Sequence, residues 1–337
     1  MLARLLPSVG VLLVVGAIAA RPAPPASAGP QLVVVVWDGA TATLGAVDAT
    51  GRFGPELAVA DPLGAGGRAA LAPDGRRVAL TVAQPGADPA SGARLLLVER
   101  ERARVRPLVE GVDLRGRPVW SPDGDQVAYR RHDPASGRDE LWTRHLTTGA
   151  TTVLEAGSSG VGLLLVGWTA TGPLVARFDR AGSWLALAGG EGQLLSAGPV
   201  RDFALAPDGR WVAFSEYGPR PQLGLVGPTG VLRLAVPGPY VHPAWTADGR
   251  LTIAGTSEQL TPLALEAPVP ITTVAAAPGQ VTLPIAWSAG GWLAARTVQL
   301  GADGSVVAER LELVGRDGQR VPVVLPGVAA VLGWSEE

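Results

Sequence analysis

The chain has 337 residues, 47% of them hydrophobic, with 28 basic and 30 acidic residues. That length suffices for a sizeable core, and the near-balance of charge argues against nucleic acid as the main partner. Cys, Lys and Asn are absent, which excludes thiolate catalysis, disulfides, Schiff-base chemistry, a P-loop lysine and N-linked glycosylation.

Residues 1–28 read as an export signal. Arg4 supplies the positive start, residues 5–20 form an almost unbroken apolar run, and Ala26-Ser27-Ala28 fits the small-x-small cleavage pattern. Retention of the same run as a membrane anchor is the alternative, because it approaches the ~17–25 residues needed to span a bilayer. In either case residues 29–337 are expected outside the cytoplasmic membrane, as one domain in the periplasm, at the cell surface or beyond it. Without Cys, no lipid can be attached at a lipobox.

From Gln31 onward, short apolar runs alternate with Gly- and Pro-containing turns, and no amphipathic helix is evident. The runs 32–37, 43–47 and 56–59 predict three strands, b, c and d, with no strand a before them. The best-defined unit follows further on, at Pro118-Val-Trp-Ser-Pro-Asp-Gly-Asp-Gln-Val-Ala-Tyr-Arg130. It reads as two strands joined by a tight turn: Pro presets φ, Asp caps its own backbone and Gly takes the positive-φ position. Imperfect copies place turn glycines at 75, 124, 172, 209, 249 and 291. A repeat of ~40–50 residues with several strands per unit is the pattern of a β-propeller.

In the unit around Trp120 the four strands are predicted at 119–121, 126–130, 140–145 and 151–154. In a later unit they fall at 203–206, 211–215, 223–226 and 232–236. The run 328–334 predicts a strand a that completes the N-terminal b, c and d. The fold expected is therefore all-β: seven four-stranded blades, the ring closed by joining the two chain ends. The segment 157–200 is the expected weak point, a truncated or irregular blade.

Four residues before the turn glycines stand Leu71, Trp120, Trp168, Leu205, Trp245 and Trp287, and Trp334 takes the same place in a seventh copy whose turn would fall just past residue 337. The residues just before these are Ala70, Val119, Gly167, Ala204, Ala244, Ala286 and Gly333. A fixed place in a structural repeat marks these tryptophans as core rather than as a stacking platform for sugars or bases.

At these residues the sequence resembles the TolB-type propeller repeats, whose consensus is roughly P-x-W-S-P-D-G-x-x-I-A-F. Pro118 to Tyr129 matches almost throughout. The resemblance covers nearly the whole exported chain and implies the repeat class. It does not imply TolB's own role, because no residues before Gln31 supply the extra N-terminal domain of that family. Such repeats occur in periplasmic protein-binding propellers, in the non-catalytic propellers of prolyl-oligopeptidase-like enzymes and in some lyases.

No G-x-S-x-G nucleophile elbow occurs. Gly64-Ala-Gly-Gly-Arg-Ala69 matches a dinucleotide fingerprint formally, but it leads into a hairpin where the fingerprint needs a helix. Asp88-Pro-Ala-Ser-Gly92 and Asp133-Pro-Ala-Ser-Gly137 read as capped turns, and an oxygen-rich cation site at the second is the alternative. Some lyases with these repeats use a histidine-bound metal, but His132 in a b–c loop, His145 late in a strand c and His242 just before a strand a read as scattered.

The more informative set lies three residues before these large ones: Arg68, Arg117, Leu165, Asp202, His242, Pro284 and Val331. These begin the inner strands and are expected to ring one mouth of the central channel. The b–c loops open on the same face, with Arg130, Arg131, His132, Asp133, Asp179, Arg180, Glu216 and Tyr217. Arg beside carboxylates and aromatics suits recognition of a protein segment or an acidic group. The expected function is non-enzymatic binding of a protein or envelope component through Arg68, Arg117, Arg130, Arg131, His132, Arg180, Asp202 and His242, by a monomer without a cofactor. The alternatives are a glycan lyase or hydrolase using a divalent metal at the same face, and a membrane-anchored sensor.

Overall fold

The computed structural model describes residues 29–60, 67–217, 222–228, 230–235, 241–255 and 267–335. The export-signal reading of residues 1–28 lies outside these.

Seven sheets stand in a ring. Blade I joins Val328–Ser335, as strand a, to Gln31–Trp37, Thr41–Val47 and Phe53–Ala60. Blade II is Ala69–Leu71, Arg77–Val82, Ala93–Glu99 and Arg104–Val112, and blade III is Val119–Trp120, Gln126–Asp133, Arg138–His145 and Thr151–Ala156. Blade IV is Gly162–Thr169, Gly172–Asp179, Gly182–Leu187 and Gln193–Ser196; blade V is Val200–Leu205, Val212–Glu216, Gln222–Gly227 and Gly230–Ala235. Blade VI is Ala244–Trp245, Leu251–Ile253 and Ile271–Thr273; blade VII is Gln280–Trp287, Leu293–Leu300, Val306–Val314 and Arg320–Val323. Each inner strand touches the next around the ring, and that of blade VII touches that of blade I. The expected closure by the two chain ends is thus present, with Gln31–Trp37 paired to Val328–Ser335.

A blade is buried on both faces, and the sequence shows it. In Gln31–Trp37, Val33, Val35 and Trp37 pack with blade II residues, while Leu32, Val34 and Val36 pack with blade VII residues. A strand with two buried faces needs no polar alternation, hence the unbroken valine run.

The repeated turn behaves as its residues require. Gly75, Gly124, Gly209, Gly249 and Gly291 all have φ between 69° and 82°. In the blade III turn, Ser121 N–H donates to the Gln126 carbonyl at 3.0 Å, and Gly124 N–H donates to the Ser121 carbonyl at 2.9 Å.

The tryptophans four places before these glycines staple neighbouring blades. In three of them the indole N–H donates to the preceding blade's inner strand: Trp120 to the Ala70 carbonyl at 2.9 Å, Trp245 to Ala204 at 2.9 Å and Trp334 to Ala286 at 3.0 Å; Trp287 donates instead to Thr252 Oγ1 at 3.1 Å, on strand b of blade VI. Each alanine acceptor is the small residue that precedes the large one in its own blade. Leucine fills the same place at Leu205, and a Cβ added at Gly167 would lie 2.8 Å from Leu205 Cδ2. Large residues therefore seat on the small ones of the preceding blade.

Residues 157–200, expected to be irregular, form the regular four-stranded blade IV. The irregular blade is VI, where Ile271–Thr273 pairs with Leu251–Ile253 in parallel. Its residues 256–266 lie outside the described part of the chain.

Candidate functional site

The entrance to the inner strands is built in two ways. In blades II, III and VI, strand a is two or three residues long, and Arg68, Arg117 and His242 stand just before it. In blades I, IV, V and VII it is longer and carries a register shift, at Val331/Gly333, Leu165/Gly167, Arg201/Ala204 and Pro284/Ala286. Such bulges bend a strand and re-aim a side chain. The blade V bulge is at Asp202.

Asp202 and His242 hold equivalent places in neighbouring blades, and both have a left-handed backbone, with φ of 55° and 41°. Only one other described non-glycine residue, Ala103, has φ above zero. This conformation costs a non-glycine residue about 1–2 kcal/mol. His242 Nε2 lies 4.0 Å from Asp202 Oδ1, and Tyr217 O–H donates to Asp202 Oδ2 at 2.6 Å. The Arg201 guanidinium stacks on the Tyr217 ring, 3.3 Å from its centroid. Residues 201 and 202 come from strand a, Tyr217 from the end of strand b of the same blade, and His242 from the next blade.

Burial pushes His242 below the ordinary imidazole pKa, 6.5; Asp202 opposes the shift, while Arg296 and Arg201 reinforce it. The unfolded chain therefore takes up a proton that the native state refuses. The stability contribution is complete above 6.5 and falls as the pH drops from there toward the lower native value. Urea midpoints measured against pH are expected to decline across this window in the native protein and to stay flat there in His242→Gln.

Arg117, just before strand a of blade III, is solvent-accessible yet surrounded by protein, and this crowding lowers its pKa. It has no hydrogen bond or ion pair among the described residues. An arginine stays charged at neutral pH even so, which leaves an unspent bidentate donor at the mouth. Arg180 is exposed in the b–c turn of blade IV and is likewise unpaired among the described residues. Arg68 is exposed, and its backbone is tied to Thr81, which accepts from the Arg68 N–H at 2.7 Å.

Arg130, Arg131 and His132 stand apart from this group. Arg130 pairs with buried Asp113 at 3.2 Å and with Asp139 at 2.8 Å, and His132 Nδ1 contacts Asp139 Oδ1 at 2.9 Å. Arg131 donates to the Gly111 and Glu110 carbonyls and sits over the Trp142 ring. These contacts tie the start of blade III to the end of blade II. His145 accepts from the Thr147 N–H in its own c–d turn. No group of three or more His, Asp or Glu residues arranged to hold a metal occurs among the described residues. An open cleft of about 420 Å³ between blades III and IV is lined by Glu155, Arg177, Asp179 and Trp184, but Arg177 and Glu155 already form a two-bond pair across it.

No protein-family model matches this chain, and no curated protein matches it either. Solved structures do match. TolB from Acinetobacter baumannii is 16% identical over 92% of this chain and 68% of its own, with a TM-score of 0.51. The dihydro-heme d1 dehydrogenase NirN, in complex with DHE, is 14% identical over 93% and 77%, with a TM-score of 0.58. Porphyromonas gingivalis dipeptidyl peptidase 4 is 14% identical over 91% of this chain and 54% of its own, with a TM-score of 0.53. The likeness is one of fold. The chain has the β-propeller fold that these structures contain.

Sequence alone marked Asp202 and His242 by register. It did not show their left-handed backbone, and it missed Arg201. Tyr217 had been placed on the right face without a partner.

Proposed function

We propose that this protein is an exported, non-enzymatic propeller that binds a protein or envelope component at the channel mouth through Arg117, Asp202 and His242. Arg68, Arg180 and Arg201 stand at the rim. The observation that carries the reading is the facing pair of left-handed residues in blades V and VI. Sparsely populated backbone conformations of this kind cluster at functional sites, where the surrounding structure holds them in place. The likeness in fold to TolB is consistent with this, and cleavage after Ala28 would release the domain from the membrane.

The test is a pull-down from envelope extract of the source cells with native protein and with Arg117→Ala/His242→Ala. A partner held by the native protein and lost, at least about tenfold weaker, from the folded variant supports the reading. Equal retention by both places binding elsewhere. N-terminal sequencing of the exported form should start at Gly29; an intact N-terminus would favour the anchored sensor.

A second reading rests on His242 itself. A desolvated, neutral imidazole beside a carboxylate is the arrangement of a general base. Turnover of an envelope glycan, abolished in His242→Gln, would favour it.

A substitution at Asp202 separates strain from contact. Asp202→Ala and Asp202→Gly both lose the Tyr217 bond, but only glycine relieves the backbone. The glycine variant is expected to be about 1 kcal/mol more stable than the alanine variant in urea denaturation, with both impaired in binding.

A further inference from the structure

The turns that join strands a and b lie at the opposite end of the inner strands from the mouth. Those of blades II and III are copies, Ala72-Pro73-Asp74-Gly75-Arg76-Arg77 and Ser121-Pro122-Asp123-Gly124-Asp125-Gln126. In blade II, Arg77 Nε donates to Asp74 Oδ2 at 2.7 Å, and the guanidinium lies 5.3 Å from the ring centroid of Trp120 in the next blade. A carboxylate and an indole face thus hold one cation across the corner between blades II and III. The seat is filled: a Cβ added at Gly124 would stand 2.6 Å from Arg77 Nη2.

One blade further on, the same carboxylate and the same indole are present and the cation is not. Asp123 takes the place of Asp74, Trp168 that of Trp120, and Gln126 that of Arg77. These three residues line an open cleft of about 360 Å³ between blades III and IV, together with Thr169 and Thr171. Two features keep it open. Glutamine is shorter than arginine and has no charge to draw it onto the carboxylate. The blade IV turn is also shorter: only Ala170 and Thr171 separate its strands a and b, where residues 72–76 and 121–125 do so in blades II and III.

The groups in the cleft have unused bonding capacity. Asp123 Oδ1 accepts from the Ser121 O–H at 2.5 Å and from the Asp125 N–H at 3.0 Å, while Oδ2 has no partner among the described residues. The Ser121 bond holds the Asp123 carboxyl below its ordinary pKa, so it is charged at neutral pH. The Gln126 side-chain amide has no partner among the described residues either. The buried unpartnered indole N–H groups there are those of Trp37 and Trp184, so the free N–H of Trp168 reaches water.

We propose that this cleft receives the guanidinium of an arginine side chain from another protein, seated between Asp123 and Trp168 as Arg77 is seated between Asp74 and Trp120. The repeat itself indicates the occupant, because one blade earlier the same two groups hold that cation. No basic side chain lines the cleft, so an anion would meet Asp123 without compensation. A carboxylate beside an aromatic face suits a planar cation, and the Gln126 amide oxygen can accept one more N–H. An open cleft suits a side chain delivered on a protein surface better than a small molecule, which binding sites largely enclose. The site is separate from the mouth and does not depend on what binds there.

The test is an NMR titration of the intact protein with acetyl-Gly-Arg-Gly-amide up to about 50 mM, the range in which weak binding shows, reading the backbone amides of the two turns. Saturable shifts with a millimolar Kd are expected, because the ion pair and the ring contact are both partly exposed. The citrulline peptide, which keeps the shape without the charge, should bind at least about tenfold more weakly. Asp123→Asn keeps the bonds to Oδ1, and Trp168→Leu places there the residue type of Leu71 and Leu205; each should weaken binding at least about threefold. Gln126→Arg should exclude the peptide, since its own guanidinium takes the seat. Thermal melts confirm that each variant folds. Unmoved signals in both turns overturn the proposal. So does equal binding of the citrulline peptide, tighter binding of free arginine than of the arginine peptide, or undiminished binding by Asp123→Asn or Gln126→Arg.

Discussion

Glu312→Ala is expected to cost about 3–5 kcal/mol of stability, the loss typical when one partner leaves a buried ion cluster. Glu312, on strand c of blade VII, is 3% exposed. Its Oε2 accepts from Arg320 Nη1 at 2.6 Å and from Thr297 Oγ1 at 2.5 Å, and its Oε1 accepts from Arg310 Nε at 2.6 Å. Arg320 also donates to Thr282 Oγ1 at 3.1 Å and to the Ala275 carbonyl in the stretch between blades VI and VII. Removing the carboxylate strands Arg320 in a site that expects an anion and loosens that junction. Burial raises the Glu312 pKa, but Thr297, Arg310 and Arg320 override it and hold the group below its ordinary value. A depressed carboxylate stabilises above its unfolded pKa and loses that contribution as the pH falls through the native one. The native protein should therefore weaken again below about pH 4.5, and Glu312→Gln, measured by urea denaturation, should show a shallower acid limb.

Trp120→Ala is expected to cost about 3–5 kcal/mol, by cavity formation and by loss of the indole bond to the Ala70 carbonyl. Trp120 is 6% exposed, with the Arg77 guanidinium 5.3 Å from its ring centroid. Trp168 holds the same repeat position in blade IV and provides the comparison. It is only half-buried, and its indole N–H has no partner among the described residues. It packs in one cluster with Val119, where Trp120, Trp245 and Trp334 bond alanine carbonyls. Trp168→Ala should cost clearly less than Trp120→Ala in guanidinium denaturation. Equal costs would mean that the staple bond and depth of burial do not set the value of these tryptophans.

The propeller was legible because its signal is local and repeated. Asp-Gly turns need positive φ at the glycine whatever surrounds them, and Gly75, Gly124, Gly209 and Gly249 adopt it. The large–small pair before each turn was also visible, although its meaning, Trp120 on Ala70 or Leu205 on Gly167, is a contact between blades. Blade VI misled because strand propensity does not report pairing direction: Ile271–Thr273 joins Leu251–Ile253 in parallel. Residues 157–200 misled in the opposite way, since departures from the repeat consensus there leave the two-faced burial intact.

For the candidate site, register alone placed Asp202 and His242 at equivalent entrances, because a repeat carries position from blade to blade. Which cations stay free was decided by tertiary structure. Arg117 and Arg130 look alike in sequence, yet Arg130 is drawn into ion pairs with Asp113 and Asp139 while Arg117 has no ion pair among the described residues. A charge reaches whichever carboxylate the folded chain brings within about 4 Å, and for Arg130 those are Asp139 on the neighbouring strand of its own blade and Asp113 in the connection from blade II. The turn periodicity and the two-faced strands, and with them the ring, were written in short stretches of sequence. The strained Asp202–His242 pair and the division of arginines into paired and unpaired exist only once the chain is folded.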